Sequence, residues 1–460
     1  MINTSRRDFL GLLGLAGGAF AAPAGFCAAI APERRLRLGV ISDVHLQFEH
    51  AYGELWKLER ALSWFREEQV DAVVIPGDIA ENGLISEMEA FAKVWYGFFP
   101  EDRLDGRKKV ERLFIFGNHD ANVVWRIPKM FPNDEEAQKK AILKYNAEAA
   151  WKRCFNEEWK PWYEKEVNGY TFLCSHWRPS GKDVDEFLEL PGYLKANAAK
   201  LGKTKPFFVV KHSHPVSTCH GKDALWCHDR GVGTTNALKD FPNAVCLSGH
   251  SHTTLTDEKA VWQDSFTSIG CSSLCYATHG RFRSYARPPE DHPWGITSKD
   301  MGGDCHHGMM IDVHDGFLTV RRREFKYNRP LGEDWIVPVP ATPENAITFK
   351  KRAAAKHPPA YKTAPKVEVK DTDKGQTLVF AAVPQGDKAF TRVIGYDVVA
   401  TNKDDKVKPL TFTFTTAGFL MPVELEPSTV LFDVPAGTFK NPADWTFKVV
   451  PFDSFDTRAV

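Results

Sequence analysis

The sequence predicts an α/β domain followed by a smaller antiparallel β-sandwich, and three observations predict it. From Leu36 to about Tyr327, short and nearly continuous apolar runs alternate with amphipathic helical periods. Strands of that kind belong to sheets covered on both faces. Past Tyr327 the texture changes: Pro330, Pro338, Pro340, Pro343 and the pair Pro358-Pro359 mark a connecting stretch that few helices can cross. From Lys366 onward, short alternating runs recur at near-regular spacing, which suits an antiparallel sandwich of about 95 residues.

In chain order, Leu36–Ser42 reads as a strand and Glu54–Glu68 as a helix with Leu55, Leu58, Leu62 and Phe65 on one face. Ala72–Pro76 is a second strand, followed by a helix near Ile85–Trp95 and a strand at Arg112–Phe116. Asp134–Trp159 is charged with a helical period, the pattern of an exposed helix lying over the core. Trp151, Trp159 and Trp162 read as core or interface packing. Strands follow at Tyr170–Cys174, Pro206–Lys211 and Ala244–Ser248, then a hairpin of Met309–Val313 and Phe317–Arg321 around Asp315-Gly316. The last domain offers runs at Lys366–Val369, Thr377–Ala381, Arg392–Val399, Leu410–Thr415, Val430–Phe432 and Thr446–Phe452. The expected division is residues 1–31 as an export segment, 34–327 as the α/β domain, 328–364 as a Pro-rich connector and 365–460 as the sandwich.

With 43% hydrophobic and 12% aromatic residues in 460, the chain can bury large cores, which excludes a mainly disordered protein or a disulfide-stapled miniprotein. Its 59 basic side chains balance 59 acidic ones. Non-specific attraction to nucleic acid is therefore absent, and no nucleic-acid partner is expected.

Ser5-Arg6-Arg7-Asp8-Phe9-Leu10 precedes an apolar run from Phe9 to Ala22 rich in Gly and Ala, the pattern of an export signal. The run falls short of the ~20 residues that span a bilayer, so no transmembrane anchor is expected in the mature chain. Cleavage fits after Ala24 or a few residues later, and Phe26 is too large to favour lipidation at Cys27. The Ser-Arg-Arg-x-Phe-Leu pattern resembles the bacterial twin-arginine signal, which implies a periplasmic or secreted protein. Export permits disulfides, for which Cys219/Cys227 and Cys271/Cys275 are candidates by spacing, while Cys174 and Cys246 read as buried thiols.

Five segments concentrate metal-capable side chains, each at the C-terminal end of an apolar run, where loops of an open sheet converge. They are Asp43-Val44-His45, Gly77-Asp78, Gly117-Asn118-His119-Asp120, Lys211-His212-Ser213-His214-Pro215 and Gly249-His250-Ser251-His252. Taken singly, each also fits a bland role, such as a helix N-cap at Asp78 or a solvated loop at Asp43. All five in order are hard to produce by packing alone. Seven such ligands with one shared carboxylate suit two ions ~3.5–4 Å apart. Mixed His/Asp/Asn ligation without thiolate fits Mn, Fe, Zn or Co.

On these motifs the chain resembles the calcineurin-like metallophosphoesterase family. The resemblance implies a four-layer α-β-β-α sandwich, here with a C-terminal β-sandwich whose likeness to fibronectin type III domains is one of shape alone. It implies that Asp43, His45, Asp78 and His252 hold one ion, that Asp78, Asn118, His212 and His250 hold the other, and that His119 faces the leaving group. Many relatives read His-x-Pro where this chain has His212-Ser213-His214-Pro215; His212 is preferred and His214 stays open. The family's loop usually places Asp where Glu81 stands, so an orienting role for Glu81 requires the longer side chain to fold back.

The expected activity is hydrolysis of a small-molecule phosphoester, monoester or diester, by a hydroxide generated at two metal ions, with His119 as general acid. His176, Trp177 and Arg178 follow a strand and either face the pocket or cap the sheet. The stretch from Cys271 to His307, with His279, Arg281, Arg283, Arg287, Trp294, His306 and His307, suits a substrate lid or an ordinary surface excursion. The competing readings are a non-catalytic surface-binding protein on the same scaffold and a nuclease. The complete ligand set with His119 weighs against the first, and near-neutral charge and export against the second.

Overall fold

The computed structural model describes residues 32–47, 51–121, 128, 131–144, 147–177, 187–220, 233–278, 285–286, 302–303, 305–373 and 375–459. The expected export segment, Arg178, Cys227 and the lid residues His279, Arg281, Arg283, Arg287 and Trp294 lie outside the described residues.

The chain opens with β1 (Leu36–Val40), α1 (Ala51–Glu67), β2 (Ala72–Pro76), α2 (Ile85–Phe98), a small hairpin of β3 (Arg103–Leu104) and β4 (Lys108–Lys109), and β5 (Glu111–Ile115). Next come α3 (Glu135–Lys144), α4 (Ala147–Phe155), β6 (Trp162–Val167), β7 (Tyr170–Ser175), α5 (Leu190–Leu201), β8 (Phe207–Val210), α6 (Gly233–Leu238) and β9 (Ala244–Ser248). Strands β10 (Val261–Gln263), β11 (Thr267–Gly270), β12 (Ala277–Thr278), β13 (Tyr285–Ala286) and β14 (Gly302–Gly303) lead to the hairpin β15 (His307–His314) and β16 (Phe317–Glu324). After it stand β17 (Arg329–Pro330), β18 (Trp335–Pro338) and α7 (Phe349–Ala355). The last region holds β19 (Glu368–Thr372), β20 (Gly375–Ala381), β21 (Val393–Asn402), β22 (Leu410–Thr416), β23 (Thr429–Val434) and β24 (Trp445–Asp453).

Two sheets stack face to face. The first runs β17-β16-β15-β1-β2-β5 with β18 also on β16; the second runs β10-β11-β9-β8-β7-β6. Between them Leu38, Val40, Val74, Leu113 and Ile115 meet Phe172, Phe208, Val245, Leu247 and Ile269 in one buried cluster. Phe172 and Phe208 stack there at 4.6 Å between ring centroids. The outer face of the first sheet packs on α1, α2 and α4 through Leu58, Leu62, Phe65, Phe91, Trp95 and Trp151. The outer face of the second packs on α5 and α6 through Leu190, Leu194 and Leu238. This is the α-β-β-α layering, and the near-continuous apolar strands follow from it, because each strand is buried on both faces.

Chain direction sets the functional rim. Strands β1, β2 and β5 run parallel, as do β7, β8, β9 and β11. The loops carrying the five motif segments all leave the C-terminal ends of these parallel strands. Short loops of polar and glycine residues there leave the strand ends open to a ligand.

Several expectations need correction. The charged stretch 134–159 is two helices, and α4 buries Ala150, Trp151, Cys154 and Phe155 rather than lying exposed. The connector is also structured: β18 pairs with β16, and Trp335 and Val337 close one end of the inter-sheet core. Pro330 and Pro338 close strands β17 and β18, and Pro340, Pro343, Pro358 and Pro359 lie in the connections between elements. Cys271 and Cys275 are not joined in a disulfide; Cys271 faces the inter-sheet core, and Cys275 lies past it on the rim. Cys219 is likewise free and buried, and Cys174 and Cys246 are buried thiols as expected.

The C-terminal region forms antiparallel sheets, β22-β21-β24 and β19-β20-β23, around a core that includes Leu378, Phe380, Tyr396, Val398 and Phe414. One pairing crosses the expected domain boundary: β13, from the excursion between β12 and β14, adds a parallel edge strand to β22.

Candidate metal centre

Asp43 and His45 follow β1, Asp78 follows β2, Asn118 and His119 follow β5, His212 follows β8, and His250 and His252 follow β9. The structure brings all of them to one rim. Asp43, His45 and His252 form one cluster of potential ligand atoms, and Asp78, His212 and His250 form a second. Asp78 stands between them, with Oδ2 3.2 Å from His212 Nε2 and 3.7 Å from His45 Nε2. Asn118 Oδ1 is 2.9 Å from His212 Nε2, on the second cluster. His214 is buried away from both clusters, its ring 6.1 Å from that of His220. The structure therefore brings His212, and not His214, to the centre.

The donor set fits metal ions on its own chemistry. His45, His212 and His252 each direct Nδ1 at an acceptor: the Glu81 carboxylate at 2.6 Å, the Pro76 carbonyl at 2.7 Å and the Tyr276 carbonyl at 3.1 Å. A neutral imidazole that donates from Nδ1 presents a lone pair at Nε2. Those lone pairs converge, with His45 Nε2 3.0 Å from His252 Nε2 and His252 Nε2 3.1 Å from Asp43 Oδ1. Acceptors facing acceptors at such distances repel unless a proton or a metal cation lies among them.

The local backbone is shaped for this convergence. Asp43, His45, Asp78, His250 and His252 all have φ between 47° and 65°, a region that non-glycine residues rarely enter. Gly117 and Gly249 are required by close approach. A Cβ on Gly117 would lie 2.2 Å from Asp78 Oδ1, and one on Gly249 2.0 Å from Ser42 Oγ and 2.3 Å from Asp43 Oδ2.

Charge follows geometry. Burial disfavours ionised Asp43, yet the facing rings of His252, His45 and His212 together outweigh it and hold the carboxyl well below its ordinary range. Asp78 is held down to about 2 by His212 against the same burial. Burial and the neighbouring His212 push His250 down to about 3, so its ring is neutral and a ready ligand. Asp120 accepts hydrogen bonds from the N–H groups of Ile79, Ala80 and Gly117 and so ties the β2 loop to the β5 loop.

His119 sits beside the clusters. Its N–H donates to Asp78 Oδ1 at 2.8 Å, and its Nδ1 lies 2.9 Å from the Glu81 carbonyl and 3.1 Å from Glu81 Oε2. The longer Glu81 side chain does fold back, and its carboxylate serves His45 and His119 together. Burial opposes a charge on His119, but the bond to Glu81 and the nearby Asp78 carboxylate together prevail and raise its pKa.

The remaining candidates separate. His176 is buried among Phe116, Trp151 and Trp159, with Nδ1 accepting from Phe116 N, and is a packing residue. Trp177 instead places its ring 5.9 Å from His212 and 6.0 Å from His250. His306 and His307 are buried, not solvent-facing. Ser42 and Tyr276 escaped sequence reasoning. Ser42 Oγ donates to Asp43 Oδ2 at 2.5 Å, and the Tyr276 ring lies 4.3 Å from that of His252. Ser42 is adjacent to a motif, whereas nothing in the sequence singles out Tyr276.

The family model for calcineurin-like phosphoesterases matches residues 36–254. No curated protein matches the chain. Among solved structures the chain is similar to a dimetal phosphatase from Danio rerio, at 14% identity and a TM-score of 0.36, covering 66% of this chain and 99% of that one. It is also similar to a conserved uncharacterized protein, a predicted phosphoesterase, from Streptococcus pneumoniae, at 12% identity and a TM-score of 0.28, over 67% and 99% of the two chains. A Zn²⁺ complex of Vps29 from Entamoeba histolytica matches at 8% identity and a TM-score of 0.28, over 66% and 99%. With all five motif segments inside the matched span, residues 36–254 of this chain are a calcineurin-like phosphoesterase domain.

Proposed function

We propose that this chain is an exported two-metal phosphoester hydrolase acting on small-molecule phosphodiesters or phosphomonoesters. The observation that carries the reading is the pair of ligand clusters sharing Asp78 with His119 beside them. Asp43, His45, Asp78 and His252 would hold one cation, and Asp78, Asn118, His212 and His250 the other; Mn, Fe, Zn or Co suits these donors. When bound, such a pair supplies Lewis acidity to the phosphoryl oxygens and a water acidic enough to attack near neutral pH.

The chain's own residues provide the rest. Glu81 fixes the His45 ring through Nδ1 and so aims Nε2 inward. The same carboxylate holds the His119 Nδ1 proton and favours the charged ring. That leaves His119 Nε2 as the position from which a proton passes to the departing alkoxide. Asp120 keeps the loops bearing Asp78 and His119 in register. Export rests on the sequence pattern Ser5-Arg6-Arg7-Asp8-Phe9-Leu10; no described helix is long and apolar enough to cross a membrane.

The first test is bound-metal content of purified protein together with turnover of bis-p-nitrophenyl phosphate and p-nitrophenyl phosphate. About two metals per chain with hydrolysis of either ester is expected. No metal and no turnover after supplying Mn, Fe or Zn would overturn the reading. His119→Ala should keep the metals and lose about 10²–10⁴-fold in kcat on alkyl phosphoesters, with a smaller loss on p-nitrophenyl esters, whose leaving group departs unaided. Full alkyl activity in that variant removes His119 from its role. Glu81→Gln should move the basic limb of the pH–rate profile to lower pH. An acid catalyst works only below its pKa, and the lost carboxylate no longer raises it; an unmoved limb assigns the acid elsewhere. Replacing Arg6 and Arg7 by Lys should keep the full-length chain in the cytoplasm of a twin-arginine-competent host, and unimpaired export of that variant would discard the export reading.

A further inference from the structure

Two aromatic side chains flank the candidate centre at opposite ends, and neither is consumed by the core. Trp177 packs its ring on His212 and His250 of the second cluster. Tyr276 packs on His252 at 4.3 Å and stands 6.3 Å from His45 of the first. Tyr276 is 38% exposed, one of few large apolar side chains left at the surface. Trp177 is half-buried on the rim. Among the described residues, neither the indole N–H nor the phenol O–H has a hydrogen-bond partner. Aromatic residues serving only as core bury their rings and satisfy their polar tips. Amphipathic rings with an open face and an unused donor beside a polar site are instead the usual anchors of recognition.

Resting on the phosphoesterase reading above, we infer that Trp177 and Tyr276 are specificity-determining residues selecting phosphoesters whose alcohol is flat and π-rich, an aryl or nucleoside group, over aliphatic ones. A phosphoryl group held between the two clusters has the Trp177 ring at one end and the Tyr276 ring at the other, so an ester substituent directed toward either end meets a ring. A planar substituent gains offset or edge contact with that ring, and the indole N–H or phenol O–H can donate to a ring heteroatom. An aliphatic substituent gains only area. Stacking of one base on one aromatic side chain is sequence-tolerant and changes affinity by roughly tenfold or more.

The test measures binding by titration calorimetry on the purified, metal-loaded full chain with two matched pairs, AMP against ribose 5-phosphate and phenyl phosphate against methyl phosphate. Inorganic phosphate serves as the reference, and hydrolysis of bis-p-nitrophenyl phosphate is measured alongside. At least one aromatic member should bind about tenfold more tightly than its aliphatic partner, and the preferred pair identifies nucleoside or aryl as the source. Trp177→Ala or Tyr276→Ala should collapse that ratio toward one while phosphate affinity stays within a few-fold. Trp177→Phe and Tyr276→Phe, which keep a ring and preserve packing, should retain most of it. Ratios within twofold of one in the unmodified chain, or unchanged ratios in both alanine variants, would overturn the inference. If that happens while phosphate still binds and the diester is still hydrolysed, only the aromatic selection is lost. Loss of both in the unmodified chain overturns the phosphoesterase reading and this inference with it.

Discussion

Two carboxylates, Asp43 and Asp78, are almost wholly removed from water at the meeting point of two sheets, and the rest of the rim is arranged around that fact. A buried carboxylate is tolerated only where positive charge or several donors face it. Asp43 receives the N–H of His250 at both oxygens and the Ser42 hydroxyl. Asp78 receives the N–H of His119. These bonds fix the oxygens without neutralising them, so the remaining charge is directed at the imidazole Nε2 positions. A site built this way suits cations.

Such convergence is opposed by the backbone. Five candidate ligand residues in the left-handed region cost of the order of 1–2 kcal/mol each. The loops offset this by bonding to one another rather than to solvent. Asp43 N donates to Gly77 O and His45 N to Asp78 O, joining the β1 loop to the β2 loop. Gly249 N donates to His212 O, joining the β9 loop to the β8 loop. Leu274 N and Cys275 N donate to Ser42 O and Asp43 O, carrying the lattice to the loop after β11. Strain is thus held by cross-loop bonds within each sheet and, through Leu274 and Cys275, between the two sheets.

Most of this was legible in the sequence because each ligand type sits where an apolar run stops, and a doubly buried strand is the easiest kind to recognise. The choice between His212 and His214 was legible only as a preference for His212. The two stand two residues apart beyond the end of β8, so strand alternation does not separate them and only the folded loop does. Glu81 was legible as a position but not as a shared partner, since only the folded loop shows one carboxylate reaching both His45 and His119. Strand β6 escaped because Glu164, Lys165 and Glu166 interrupt it, an edge strand being wetter than its neighbours. Tyr276 escaped because its meaning comes from the β11 loop folding back across β1, a contact far apart in sequence.

The same distance effect changes what the C-terminal sandwich is. Texture alone marked it off as a separate unit behind a proline-rich stretch. In the structure its 417–420 turn is bonded to the segment that leaves His252: Thr256 Oγ1 donates to Phe419 O, and His307, which accepts from Leu255 N through Nδ1, reaches Leu420 O at 3.2 Å through Nε2. Burial first, then the neighbouring His306, pushes His307 down to about 3, so the ring stays neutral and holds this donor–acceptor arrangement across the neutral pH range. Strand β13 adds a second tie from the excursion that begins just past Tyr276. A domain attached only by a linker would leave the ligand loops indifferent to it. This one is fastened to the loop bearing His252 and to the excursion after Tyr276.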